Sequence, residues 1–341
     1  MQPLLFGHAI FRMTTSKLMP NTEAELAQPV HVAVGIITRN NRVCVTQRHM
    51  HQHQGGKWEF PGGKVELGET ASGALTRELK EELGINVSAA EPLLTLNYRY
   101  PDKHVLLDVW HISAFSGQAT ALEGQGLQWQ AINTLDAALF PAANRAIIQA
   151  LTLSAHYVIT GSFNNPDDFT TKFQRCLSQG QRLIQLRAND LSADEYRNYA
   201  RLAIRLCRDY DDNETPPQLI LNSSIENVEL CDADGVHLNS TQLMKLHSRP
   251  LTNEKLVGAS VHNYEQLRRA CDIEVDFVVI APVLPTTSHP QAHPLGWETL
   301  QQLTKASSVL VYALGGMQKS SLAIARQHGA FGIAGISGFW L

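Results

Sequence analysis

The chain has 341 residues, with Lys+Arg 28 against Asp+Glu 32, a net charge of -4, 44% hydrophobic and 18% charged residues. This exceeds the roughly 100 to 200 residues of one domain, so two cores are expected, and the composition excludes a largely disordered or collagen-like protein. No apolar run approaches the roughly 18 residues of a membrane span, and the balanced charge disfavours coating a polyanion, so no membrane and no direct nucleic-acid partner is expected. The cysteines (Cys44, Cys176, Cys207, Cys231, Cys271) are odd in number and unpaired in spacing. They fit a reducing, cytoplasmic setting without disulfides or zinc.

Residues 1–29 read as a flexible extension, since Pro3 to Phe6, the only apolar run there, is too short for a signal-peptide core. From Val30 the pattern becomes strand-like: His31 to Thr38, an Asn40-Asn41 turn, then Arg42 to Arg48, together a hairpin. Strands are expected at Leu93–Tyr100 and His104–Phe115 around a Pro101-Asp102 turn, and again at Leu127–Ile132. Helices are expected at Thr70–Leu83 and Ala142–Leu151. These elements make residues 30–151 a first domain with a mixed sheet.

Residues 152–341 form the second domain. Short apolar strands are expected at Tyr157–Thr160, Leu183–Leu186, Leu219–Asn222, Gly235–Leu238, Leu256–Val261, Phe277–Ala281, Val309–Ala313 and Gly332–Gly335. Amphipathic segments at Asp168–Leu177, Ala193–Arg208, Tyr264–Cys271, Leu295–Leu303 and Ser320–Gln327 separate them. That alternation is the sequence form of a (β/α)8 TIM barrel with its last helix nearly absent.

A glycine turn at Gly63 precedes the helix bearing Glu78, Glu81 and Glu82, whose i, i+3 and i+4 spacing puts them within one third of the circumference. Ala71, Ala74, Leu75 and Leu79 share that arc, while Arg77 and Lys80 are expected to point the other way. Carboxylates aimed at an apolar side repel and lose hydration, so they require a compensating cation. A hard, oxygen-seeking divalent ion that also binds phosphates suits them, Mg²⁺ first and Mn²⁺ as an alternative. Gly84 should end the helix in a left-handed cap.

The run from Gly63 to Ile85 (Gly, five residues, Glu69, seven residues, Arg77-Glu78-Leu79, one residue, Glu81-Glu82, one residue, Gly84-Ile85) resembles the Nudix box at every specified position. The resemblance implies an α/β/α sandwich and Mg²⁺-dependent attack of water on a nucleoside-diphosphate-linked substrate. It implies that the Gly62 carbonyl, Glu78 and Glu82 hold the metal, that Glu81 is an outer or second-metal ligand, and that Arg77 pairs with Glu69.

Within that family, Arg48, His53, Glu59-Phe60-Pro61-Gly62, Tyr100-Pro101-Asp102, Glu123-Gly124-Gln125 and Phe140-Pro141-Ala142-Ala143-Asn144 are similar to stations of the MutT-type 8-oxo-dGTP diphosphatases. That implies a nucleoside triphosphate substrate. Asn144 would read the oxidised purine edge, Arg48 and His53 would contact the nucleotide, and Glu123 would join the metal or the water. The residues alone leave alternatives open: Asn144 as an N-cap, and His49, His51 and His53 as a solvated loop. Lys103 departs from the arginine usual in the close relatives, which replaces a planar contact with a point charge.

In the second domain, barrel chemistry belongs at the C-terminal strand ends, with phosphate commonly bound after the seventh and eighth strands. There stand Gly315-Gly316 and Gly335-Ile336-Ser337-Gly338. Gln185, Arg187, Asn222, His237, Ser260, His262 and Thr286-Thr287-Ser288 join them on the rim. Ile184 to Arg187, Ala233 to Leu238, Gly258 to His262, Ala281 to Thr287 and Ala313 to Gly316 resemble the thiamine-phosphate synthase and TenI superfamily. The resemblance implies Mg²⁺-pyrophosphate chemistry on an Asn-Asp pair, a further aspartate and lysines. This chain has Asn222-Ser223, Gln242, Asn189 and His289 there. His262 stands where TenI-type thiazole tautomerases carry an acid/base histidine. A thiazole phosphate or another thiamine-related ligand is therefore the expected barrel partner, alongside two alternatives: hydrolysis of thiamine-type pyrophosphates by the first domain, and a barrel that only senses a phosphate ester.

Overall fold

The protein is described from a computed structural model covering residues 28–211, 216–286, 291 and 293–340. The expected extension falls outside this range up to residue 27, as do Thr287, Ser288 and His289.

Near-continuous apolar runs build the first hairpin, β1 (Val30–Arg39) and β2 (Arg42–Gln47), paired antiparallel across Asn40 and Asn41. Both asparagines have positive φ, the backbone that a two-residue hairpin turn demands. Two short strands follow, β3 (Trp58–Glu59) on β2 and β4 (Gly62–Lys64) on β1, in a stretch whose Pro and Gly content disguises them as loop. Helix α1 (Ala71–Leu83) starts from Thr70, whose side chain accepts the Gly73 N–H, and ends at Gly84 in the left-handed conformation. Strands β5 (Asn86–Arg99) and β6 (His104–Ser116) pair antiparallel, and β6 runs parallel to β1. β5 begins seven residues before the expected Leu93, because register shifts let it carry Pro92 within the ladder. β7 (Leu127–Ala131) pairs with β2, and α2 (Asn144–Thr152) closes the unit.

Helix α1 packs Leu75, Leu79 and Leu83 on one face of the sheet against Ala33 and Ile37. Helix α2 covers the other face through Ile147, near Val34 and Ile36. The result is the α/β/α sandwich with a mixed sheet.

The barrel runs β8 (His156–Ile159), α3 (Pro166–Ser178), β9 (Leu183–Leu186), α4 (Ala193–Arg208), β10 (Gln218–Leu221), α5 (Glu226–Cys231), β11 (Gly235–Leu238), α6 (Ser240–Lys245), β12 (Leu256–Val261), α7 (Tyr264–Asp272), β13 (Phe277–Ile280), α8 (Gly296–Thr304), β14 (Leu310–Ala313), α9 (Leu322–Gln327) and β15 (Gly332–Gly335). The strands are parallel and close when β15 pairs with β8. The six-residue helices α5 and α6 are not apparent in the sequence, being too short for a clear period. Beyond β15 the chain turns at Ile336 and buries Phe339 and Trp340, the latter's ring 5.7 Å from Phe169 of α3.

The two expected cores are not separate. Tyr157, Phe277, Tyr312 and Phe331 inside the barrel belong to the same buried cluster as Phe140 and Ile147. Edge strand β5 also bonds the barrel directly: Thr95 N–H to Gly329 O at 3.1 Å and Asn97 N–H to Ser307 O at 2.6 Å. Ser307 and Gly329 lie just before β14 and β15, so the sandwich sits over the N-terminal end of the barrel. Among the described residues no helix is long and apolar enough to cross a membrane.

Candidate functional site

Around α1, Glu78 and Glu82 are half-buried beside β4, whereas Glu81 is exposed and is not aimed at the apolar side. Arg77 does not point away from them. Its long side chain folds back to pair with Glu69 at 3.0 Å, Glu78 at 2.8 Å and Glu81 at 3.3 Å, and donates to Lys64 O at 3.1 Å. Helical position fixes the Cβ but not the end of a four-atom stem, which corrects the expectation from the sequence. Gly62 has φ of 142° and a Cβ there would lie 2.2 Å from Ala33 O; one on Gly63 would lie 2.1 Å from the Glu78 carboxyl carbon. Only glycines let this turn approach both the sheet and the carboxylate.

Glu82 accepts the Gly62 N–H at 3.2 Å, yet burial, reinforced by the charges of Glu59, Glu78 and Glu123, pushes its carboxyl up to about 8. No described basic side chain forms an ion pair with it. Burial likewise raises Glu59, against the lowering influence of Arg48. Glu123 stands exposed on its loop, where the Gln125 side chain links its N–H (2.9 Å) to Glu82 O (3.1 Å). Among the described residues no three His, Cys, Asp or Glu side chains meet as a ready-made metal cage. The donor chemistry nevertheless fits a hard cation: several carboxylates share one field, and Arg77 is already committed to three of its neighbours.

The wall beside this cluster is one connected chain. Arg48 pairs with Glu59 and donates to His53 O at 2.8 Å. His53 meets Asp102 at 3.2 Å and sets its ring edge-on to Tyr100, with centroids 5.0 Å apart. The Tyr100 hydroxyl accepts the Ala143 N–H at 3.2 Å, immediately before α2. Phe60 stacks on Phe140 at 5.5 Å, and buried Pro61 accepts the Gly35 N–H at 2.8 Å. Lys103 is half-buried, its ammonium pK lowered by burial and by Arg48.

Asn144 is the first helical residue rather than the N-cap, which is Ala143. The residue is 8% exposed, and its side chain makes no hydrogen bond to another described residue. The structure thus gathers Arg48, His53, Glu59, Lys103 and, through Tyr100, Asn144. The roles of Tyr100 and Asp102 as joints had no signal beyond their place in the turn.

At the other end of the molecule, a cavity of about 700 Å³ opens on the C-terminal rim of the barrel. Gln185, Arg187, Asn222, Ser260, His262, Gly316 and Ser337 all reach it. Buried Gln185 donates to the Tyr157 hydroxyl at 2.9 Å, Tyr157 meets His237 Nδ1 at 3.2 Å, and His237 Nε2 meets Ser260 Oγ at 2.9 Å. The Gln185 amide nitrogen can only donate, so the Tyr157 proton goes to Nδ1 and His237 carries its own on Nε2. Burial and the nearby Arg187 charge hold His237 down at about 3, and hence neutral. In the sequence Tyr157 shows only as the start of an apolar strand, because a tyrosine there looks like core. His262 is exposed at the cavity, and its Nδ1–H donates to Ala281 O at 2.7 Å, which leaves Nε2 as the accepting nitrogen. Gln242 does not face the cavity as a ligand: its amide donates to Ser223 O at 3.0 Å and its carbonyl caps α6 at Asn239.

The profile of the family described as thiamine monophosphate synthase matches residues 156–339, and that of the NUDIX domain matches residues 32–150. The 8-oxo-dGTP diphosphatase of Escherichia coli (strain K12) is 40% identical over 123 residues, 36% of this chain and 95% of that protein. The CTP pyrophosphohydrolase of the same strain is 38% identical over 100 residues, 29% of this chain and 74% of that protein. The thiamine-phosphate synthase of Persephonella marina is 28% identical over 191 residues, 56% of this chain and 89% of that protein.

Proposed function

Because the chain belongs to the thiamine monophosphate synthase family through residues 156–339 and to the NUDIX family through residues 32–150, we propose a two-domain enzyme, with residues 30–151 as hydrolase and 152–341 as barrel. The hydrolase converts 8-oxo-dGTP, or a similar oxidised purine nucleoside triphosphate, to the monophosphate and pyrophosphate, keeping the oxidised base out of DNA. The observation that carries this reading is Asn144: a nearly buried residue whose amide has no internal partner, at the end of a wall that begins with Arg48. An amide offers both a donor and an acceptor to a purine edge.

In this reading the Gly62 carbonyl, Glu78 and Glu82 would hold Mg²⁺, with Glu81 as an outer ligand. The ion, when bound, supplies counter-charge for the polyphosphate and acidifies the attacking water. Glu78 or Glu123 accepts that water's proton. Arg77 braces the Gly62-Gly63 turn through Glu69 and Lys64 O. Arg48, His53 and Lys103 orient the nucleotide, and Phe60 with Pro61 shapes the base side. A turnover screen of the full chain with oxidised and normal nucleotides, CTP and thiamine pyrophosphate tests this. Fastest release of pyrophosphate from 8-oxo-dGTP supports the assignment; thiamine pyrophosphate as the best substrate would transfer the hydrolase to thiamine metabolism.

The barrel, on the same reading, binds a thiazole phosphate or related ester, with the phosphate at Gly316 and Ser337 and the ring near Gln185 and Arg187. His262 serves as the proton shuttle of a tautomerase. The neutral loops at Ser223 and Gln242 favour this, or a purely sensing role, over pyrophosphate chemistry.

A further inference from the structure

Helix α2 is held by two different parts of the molecule. Its entry hangs from the sheet through Tyr100 and Ala143. Its middle is held by Asp276, which is 2% exposed and immediately precedes β13. One Asp276 oxygen accepts from the Gln149 side-chain amide and lies 3.6 Å from the Arg145 guanidinium. The other accepts from the Val257 N–H at 2.7 Å and from Arg249 at 2.5 Å. Arg145 also reaches Glu274 and Asn253, each at 3.3 Å.

Arg145 and Gln149 are four residues apart and share a helix face. Asn144 lies about 7.5 Å along the axis from Gln149, at about 1.5 Å per residue. The apolar contacts of Ile147 tolerate small slides and rotations of the helix. Charge-assisted hydrogen bonds to a buried carboxylate do not, because they are short and directional.

We infer that Asp276 of the barrel is a positioning residue for the hydrolase site: it sets the depth and rotation of α2, and so where Asn144 presents its amide. This rests on the reading that Asn144 meets the base. The carboxylates of α1 lie on the opposite face of the sheet from α2 and are untouched by the tie. Its loss therefore falls on base discrimination and KM rather than on turnover of the unmodified nucleotide.

The test compares wild type, Gln149→Met and Asn144→Ala in the full-length chain, measuring kcat and KM for 8-oxo-dGTP and dGTP together with Tm. Gln149→Met removes the amide at similar volume and leaves Arg249 and Asp276 paired, whereas Asp276→Asn would leave the Arg249 guanidinium without its counter-charge and risk the fold. Gln149→Met should lower the 8-oxo-dGTP to dGTP ratio of kcat/KM about threefold to tenfold, through KM for the oxidised substrate, with kcat for dGTP unchanged. If Gln149→Met keeps the wild-type ratio while Asn144→Ala lowers it, the positioning inference is overturned. Equal slowing on both nucleotides with a fall in Tm overturns it as well, by showing a merely structural contact. If Asn144→Ala leaves the ratio intact, the base-contact reading itself fails and takes the inference with it.

Discussion

The side-chain amide of Gln242 in α6 donates to the backbone carbonyl of Ser223 at 3.0 Å, joining that helix to the loop after β10 without a charge on either side. By family resemblance these positions carry the acidic residues of a synthase. Here Gln242 bonds residue 223 only through its backbone, the Ser223 hydroxyl donates to Ser224 O at 3.2 Å, and neither side chain brings a charged oxygen.

The full chain should therefore make no thiamine phosphate from the two synthase substrates and Mg²⁺, because neutral oxygens cannot replace the carboxylates that anchor a Mg²⁺-pyrophosphate. Product formation at an enzymatic rate, followed by thiochrome fluorescence, would refute the argument from ligand chemistry.

Glu82→Gln should cost on the order of a hundredfold or more in Mg²⁺-dependent hydrolysis. The fold should persist, since a glutamine oxygen can still accept the Gly62 N–H. In metal-free buffer the variant should melt no lower than wild type, because a buried carboxylate pushed up to about 8 by burial and neighbouring charge is replaced by a neutral group. Near wild-type turnover at limiting Mg²⁺ would remove Glu82 from the metal site.

These carboxylates were legible because the Nudix spacing fixes which Cβ atoms share an arc, and α1 follows it from Ala71 to Leu83. The pairing of Arg77 with Glu69 follows the resemblance, whereas its arc position alone points it away, because arc position says nothing about the far end of a long side chain. The eight barrel strands were legible from their apolar runs, whereas α5 and α6 were too short to show a period. The tie from Gln149 to Asp276 was invisible, since in sequence both look like ordinary solvated polar residues; burial of Asp276 emerges only when the sandwich covers the barrel's N-terminal end.

His262→Asn should lower thiazole tautomerase activity about a hundredfold while leaving affinity for the phosphate ester within about threefold. Asparagine can still donate to Ala281 O, as Nδ1 does at 2.7 Å, but lacks a titratable nitrogen. Calorimetric titration beside the activity assay checks this, and unchanged turnover would assign the proton transfer elsewhere.

His237 gives a stability signature. Its folded pKa is held at about 3, below the ordinary histidine value of 6.5, so as pH falls below 6.5 the unfolded chain takes up a proton that the folded one refuses. Wild type should lose stability relative to His237→Gln by about 1.4 kcal/mol per pH unit from 6.5 toward 4.5. Denaturant midpoints at pH 7.5, 5.5 and 4.5 measure it. A pH-independent difference between the two proteins would mean that His237 is not buried neutral.

The buried cluster that runs from Ile147 and Phe140 into Tyr157, Phe277 and Tyr312 binds the fates of the two halves. Neither can be shed by proteolysis without baring the other's interior, so the two domains are present one to one and are lost at the same time. The rim cavity opens at the end of the barrel away from the sandwich. Whatever leaves one site must therefore cross bulk solvent to find the other, and the fusion couples supply and lifetime rather than handing over an intermediate.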